Sequence, residues 1–224
     1  MKKELIFNEE KHEYRVGDKV LTSVTQFVSW FFPEFDKETI SQRVANKRGV
    51  TQQEVLDEWE SIADNGTLVH KEIEDFILGK VSITSMKSFY GCKYYANFTD
   101  DTNFVVTPEW RIFSEELGLA GTIDLFLNDL GDNFKYLVDW KTNEKLSEDG
   151  YGFGVRESTK HIPNSKLHKY YLQLNVYAYI LKQNYGVDID EMFIIQLKET
   201  ECEEFLVPDM QEDVQNMIKE WKER

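Results

Sequence analysis

Apolar residues recur along this chain in two rhythms, and the change of rhythm divides it. Short alternating pieces come first, "KELIF", "HEYRV" and "KVLTS", with a turn at 16–19, and they read as strands. The spacing of Ser23 and Gln26 is that of a capping box and predicts a helix through Phe31, stopped by Pro33. Asp36 is placed to cap a second helix running to about Arg48, with Gly49 as its terminator. Thr51 and Glu54 open a third, "TQQEVLDEWESIA". A fourth, "GTLVHKEIEDFILG", ends at Gly79, and a fifth covers 85–98.

The period then shortens to two. "NFVVTPEWRIFSE", "LAGTIDLFLN" and "FKYLVDWKT" read as three strands joined by tight connections at 115–118 and 128–133. A loop rich in glycine, serine and charge follows, then the long helix "KLHKYYLQLNVYAYILKQNYG". The strand "EMFIIQLKE", the short piece "EEFLV" and a last helix, "DMQEDVQNMIKEWKE", complete the pattern. Helices, then a meander, then helix and strand predict a mixed α/β fold with a central sheet flanked by helices.

One strand breaks its own rule. In "YLVDWKTNEK" the charged Asp139 and Lys141 lie two apart, on the face shared with Leu137, while Val138, Trp140 and Thr142 share the other. Charges withdrawn from water are costly unless paired or bound to a metal. Asp124, fifteen residues upstream in "AGTIDLF", would come alongside through the hairpin at 128–133. Three explanations fit: a buried Asp–Lys ion pair with Asp124 merely exposed, two carboxylates holding a divalent cation beside a lysine, or an acid/base pair for glycoside chemistry that leaves Lys141 without a role.

With 224 residues, 41% of them hydrophobic, the chain can bury a sizeable core. No apolar run approaches the ~18 residues of a membrane span. "MKKELIFNEE" lacks the apolar centre of an export signal, and Cys92 and Cys202 are isolated, so a reducing cytoplasm is the expected compartment. A net charge of −15 argues against a general nucleic-acid surface. Basic residues nevertheless gather at Arg43, Lys47 and Arg48, and again at Lys160, His161, Lys166, His168 and Lys169. A local groove can be positive on an acidic protein, and solvated faces explain the same clusters.

The ordered set "GTLVHKEIEDF", "GTID", "VDWKT" and "QLNVYAY", spanning Gly66 to Tyr177, resembles the PD-(D/E)xK nuclease superfamily, in particular its RecB-like exonuclease branch. The opening "SVTQFVSWFFPEFD" is similar to phage-type and mitochondrial genome maintenance exonucleases of that branch. The resemblance implies a restriction-endonuclease-like core at about 66–200 with an N-terminal elaboration over about 1–100, all within a single domain of 1–224. It implies catalytic roles for Asp124, Asp139, Lys141, Gln173 and Tyr177. It further implies one or two Mg²⁺ or Mn²⁺ ions held by His70, Asp124, Asp139 and the backbone carbonyl of Trp140, with Glu109 and Glu74 as additional candidates. Some relatives carry four cysteines for an iron–sulfur cluster; two cysteines cannot supply one. There is no G-x-x-x-x-G-K-[ST], so unwinding would fall to a helicase or recombination partner, or the DNA would already be single-stranded or have free ends.

The expectation is therefore a metal-dependent deoxyribonuclease, more exonuclease than sequence-specific endonuclease, in replication, recombination or repair in a bacterial or phage-infected cell. Lys160, Lys166, Lys169, Arg43, Lys47 and Arg48 are its candidate strand contacts, and the stretch between Tyr151 and Tyr171 a strand-gripping lid. The alternatives are a non-catalytic acidic accessory protein or DNA mimic, and a flap- or RNA-directed nuclease.

Overall fold

The computed structural model describes residues 4–8, 11, 13–80, 82–100 and 103–224. Lys3 and His12, at the starts of two expected strands, lie outside this set. Three strands open the fold, β1 (Leu5–Asn8), β2 (Glu13–Val16) and β3 (Lys19–Ser23). Helices α1 (Val24–Ser29), α2 (Lys37–Arg48), α3 (Gln52–Ile77) and α4 (Met86–Phe98) follow. The meander is β4 (Phe104–Ser114), β5 (Leu119–Asp129) and β6 (Lys135–Lys141). Helix α5 (Lys166–Ile180), strands β7 (Glu191–Leu197) and β8 (Cys202–Leu206), and helix α6 (Gln211–Lys222) complete it.

The eight strands form one mixed sheet in the order β1-β2-β3-β5-β6-β7-β8, with β4 on the other edge of β5. Helices α1, α5 and α6 cover one face through Phe27, Leu172, Val176, Val214 and Trp221. The C-terminal half of α3 and helix α4 cover the other through Val69, Ile73 and Cys92 against Val138, Trp140 and Ile195. This is the central mixed sheet flanked by helices that the sequence pattern predicts.

The predicted caps are in place: Ser23 with Gln26, Asp36 at the start of α2, and Thr51 with Glu54 at the start of α3. One expectation fails. The helices expected on either side of Gly66 are one continuous helix, α3, of 26 residues and about 39 Å. A lone interior glycine costs about 1 kcal/mol and does not by itself break a helix. Here the bare Cα lets α3 approach the end of β6, where a Cβ at position 66 would meet Thr142 Oγ1 at 3.1 Å. The N-terminal half of α3 carries α2, joined to it by Gln52 donating to Ser41 Oγ and by the Arg48–Glu58 ion pair.

The important irregularity is a fork in the sheet. Strand β5 pairs with β4 along one edge. On its other edge it pairs with β3 only at Leu119 and Ala120, and with β6 only from Leu125 to Asn128. Residues 121–124 face neither strand. Beyond Val138, β6 continues beside β7 alone.

Candidate active site

Asp124 stands at the end of the fork. Ile123 and Phe126 pack on the α5 side while Leu125 and Leu127 pack on the α3–α4 side, so the two-residue alternation slips at this position. Its Oδ2 accepts the backbone N–H of Trp140 at 2.9 Å, capping a donor that has no partner strand on that side. The same oxygen lies 3.4 Å from His70 Nδ1. Gly66, one turn earlier in α3, allows the approach that brings the imidazole here.

Opposite Asp124 on β4, Glu109 has a left-handed backbone, φ 49°, uncommon for a residue with a side chain. Pro108 before it supplies no N–H, and β4 pairs only with β5 here, as proline in a strand requires. Ligand atoms of His70, Glu109 and Asp124 all lie within 4.8 Å of one another.

These groups perturb each other. Burial and the neighbouring Asp124 carboxylate push Glu109 up to about 8. Burial opposes the ionised forms of His70 and Asp124, but their mutual attraction outweighs it, raising the imidazole and lowering the carboxyl. A crowded acidic site with one imidazole is a donor set suited to a hard or borderline divalent cation.

A second group lies on the α5 side of β6. Asp139 is 2% exposed and is paired with Lys141 through Oδ2, while Oδ1 accepts from Gln173 Nε2 at 3.2 Å. Burial raises Asp139 to about 6 against the opposing pull of Lys141. Burial works against the Lys141 ammonium, yet Asp139 and Asp124 outweigh it and raise its pKa. Gln173 Nε2 also lies 3.2 Å from Tyr177 Oη. Tyr177 is seated over β5 because position 121 is glycine, where a Cβ would come within 2.4 Å of the ring.

Asp139, Lys141, Gln173 and Tyr177 thus form one network, and His70, Glu109 and Asp124 form a neighbouring one. The Asp139 carboxylate is turned to Lys141 rather than into the His70 group. Trp140 packs its indole in the core at 1% exposure, edge-on to Tyr94. Glu74 lies one turn beyond His70 but pairs with Lys71, outside the three-residue group.

The basic candidates divide. Lys166 and Lys169 line a pocket of about 140 Å³ between α1 and α5, shared with Thr25, Ser29, Tyr170 and Gln173. Lys160 instead pairs with Glu157, and His161 with Asp213 of α6. Arg43, Lys47 and Arg48 sit on α2, where Arg48 is held by Glu58.

One neighbour of Lys141, Tyr170, escaped the motif reading. The Lys141 ammonium lies 4.4 Å from the centre of the Tyr170 ring, and Tyr170 Oη donates to Asn143 Oδ1 at 2.9 Å. Tyr170 precedes Gln173 by three residues, and that shared helical face was the available signal. Tyr171, in contrast, is buried packing, as its place among the apolar residues suggests.

No protein-family sequence model matches the chain, and no curated protein matches it in sequence. Among solved structures, the chain is similar to SSO0001 at 10% identity and a TM-score of 0.42, over 90% of this chain and 74% of that one. It is also similar to an alkaline exonuclease (LHK-Exo) from Laribacter hongkongensis at 10% identity and a TM-score of 0.38, over 91% and 86%. Among the described residues, no helix is long and apolar enough to cross a membrane.

Proposed function

We propose that the chain is a divalent-metal-dependent nuclease that hydrolyses phosphodiester bonds of DNA, acting on single strands or ends. The observation that carries this reading is the meeting of the His70–Glu109–Asp124 group with the Asp139–Lys141 pair across the fork of β5 and β6. A purely structural ion pair would account for Asp139 and Lys141, but not for two further carboxylates and an imidazole gathered beside them.

The residues fit a Mg²⁺ or Mn²⁺ ion. His70, Asp124 and Glu109 would hold it, with Asp139 on the neighbouring strand as a further carboxylate. The Trp140 carbonyl is also available, because in an extended strand a residue's N–H and C=O point to the same side, here toward Asp124. The imidazole favours manganese. The ion, when bound, polarises a phosphoryl oxygen and lowers the pKa of water at the site.

The remaining chemistry belongs to the chain. Lys141, kept protonated by Asp139 and Asp124, holds the attacking water and offsets charge building on phosphorus. Tyr170 presents its ring face to that ammonium and fixes its direction. Gln173 and Tyr177 orient Asp139. Lys166 and Lys169, which line a pocket with Tyr170 and Gln173, would carry the phosphate contacts.

End-labelled single- and double-stranded DNA and RNA, incubated with Mn²⁺, test the reading. Time-dependent shortening of DNA that is lost in Asp139→Asn and in Lys141→Ala supports it. Intact substrates under every metal would leave a non-catalytic acidic accessory protein in its place.

A further inference from the structure

The segment between β6 and α5 is built in an unusual way. Glycine alternates with apolar residues over 150–155: Gly150, Tyr151, Gly152, Phe153, Gly154, Val155. A Cβ at position 150 would lie 2.6 Å from the Asn164 carbonyl, and one at 154 would lie 2.5 Å from that of Thr159. Gly152 between them has φ +76°. At 150 and 154 the backbone is therefore pressed onto the returning chain, while a Cβ at 152 would meet open space; the side chains between are exposed, Tyr151 97%, Phe153 56% and Val155 53%.

This segment is fixed in place. Gly154 N–H donates to Ile162 O and Asn164 N–H to Gly152 O, flanking an antiparallel bridge between Phe153 and Pro163. Its base is tied to the end of α1, where Val155 N–H and Thr159 Oγ1 both donate to Phe31 O. The Arg156 guanidinium stacks 3.8 Å from the Trp30 ring centre. The carbonyls left open beyond α1 thus gain partners. The expected lid is a pinned bracket carrying exposed rings.

Both ends of the bracket reach the candidate active site. It leaves β6 just after Lys141 and rejoins the fold at Ser165, the cap of α5. Asn164 Nδ2 donates to Tyr151 O. From Asn164 to Tyr170, beside Lys141, is about 9 Å along the helix axis. Lys166 and Lys169 occupy that interval.

We infer that Tyr151 and Phe153 form a stacking platform for unpaired bases, two or three nucleotides from the phosphodiester at Lys141, with Lys166 and Lys169 carrying the intervening phosphates. The inference rests on the nuclease reading for the occupant and narrows it to single strands. Bases in a duplex have their faces covered by neighbours, whereas aromatic stacking accepts any unpaired base.

Binding of a fluorescent 12-nucleotide oligothymidylate, with Ca²⁺ in place of Mn²⁺, tests the platform without requiring cleavage. A parallel series carries 2-aminopurine at successive positions. Tyr151→Ala/Phe153→Ala is expected to weaken binding about tenfold or more and to abolish position-specific quenching, with the salt dependence retained. Tyr151→Trp/Phe153→Trp should keep both signals. Lys166→Ala/Lys169→Ala should keep the quenching and flatten the salt slope by about 1.4. Wild-type affinity and quenching in the double alanine variant, with an unchanged circular dichroism spectrum, would overturn the platform while leaving the nuclease reading intact. Binding with quenching but no cleavage of any substrate would do the reverse.

Discussion

Asp124 accepts the backbone N–H of Trp140 at 2.9 Å and lies 3.4 Å from His70 Nδ1, so one carboxylate ties the end of β6 to the C-terminal half of α3. Its two functions are separable. In Asp124→Asn the amide oxygen can still accept from Trp140, but the charge that attracts His70 and a cation is gone. Titration calorimetry should show Mn²⁺ uptake weakened at least about a hundredfold, while urea unfolding of the metal-free protein shifts by no more than about 1 kcal/mol. Undiminished uptake would place the ion elsewhere.

Lys141 and Asp139 make a different prediction, because both are withdrawn from water. Removing one partner of a buried pair strands the other, at a cost of about 3–5 kcal/mol. Lys141→Ala should lose stability of that order and should push Asp139 above its present value of about 6. Adding Asp139→Asn to Lys141→Ala should return most of the stability and none of the cleavage. A double variant as unstable as the single would mean that the lysine stabilises the fold by packing.

How far the sequence foresees this arrangement depends on the kind of information each residue needs. Periodicity suffices to put Asp139 and Lys141 on one face, and Gln173 and Tyr177 one helical turn apart, and these four do meet. Caps at Ser23, Asp36 and Thr51 are equally local and are found as expected. Gly66 is misleading because a glycine that ends a helix and a glycine that admits a neighbour look alike without the neighbour, here Thr142. Lys160 and Arg48 read as strand contacts until Glu157 and Glu58 are seen beside them. The place of Tyr170 under Lys141, and the slip in β5 that aims Asp124 into the fork, depend on tertiary packing that no local pattern encodes.

Gly121 illustrates a packing constraint with a functional consequence. A methyl group there would come within 2.4 Å of the Tyr177 ring, which is itself buried in the core. Gly121→Ala should cost about 1–3 kcal/mol by overpacking. It should also reduce cleavage, since displacing Tyr177 moves Gln173 away from Asp139. Tyr177→Phe keeps the ring and should not relieve the clash, whereas Tyr177→Leu should recover stability without recovering the rate. Wild-type stability in Gly121→Ala would show that the ring yields freely.

The acidic cluster gives a dependence on pH and metal whose sign can be worked out. Glu109 is raised from its ordinary 4.5 to about 8, so between those values the folded, metal-free protein retains a proton that the unfolded chain has released. Its contribution therefore favours folding at low pH and is lost as pH climbs from about 4.5 to 8. Asp139, raised to about 6, acts in the same direction over a narrower window. His70, also raised, contributes stability below its unfolded value and loses it as pH passes through the folded one. Asp124 alone is lowered and opposes them only in the acid range. With EDTA, the melting temperature should consequently decline from about pH 5 to pH 8. A cation must displace the protons on Glu109 and Asp139 to bind, so Mn²⁺ affinity should rise over the same interval and its uptake should release protons. Calorimetry in two buffers of different ionisation enthalpy measures that release directly. Uptake without proton release at pH 7 would show either that Glu109 was already ionised or that it does not hold the ion.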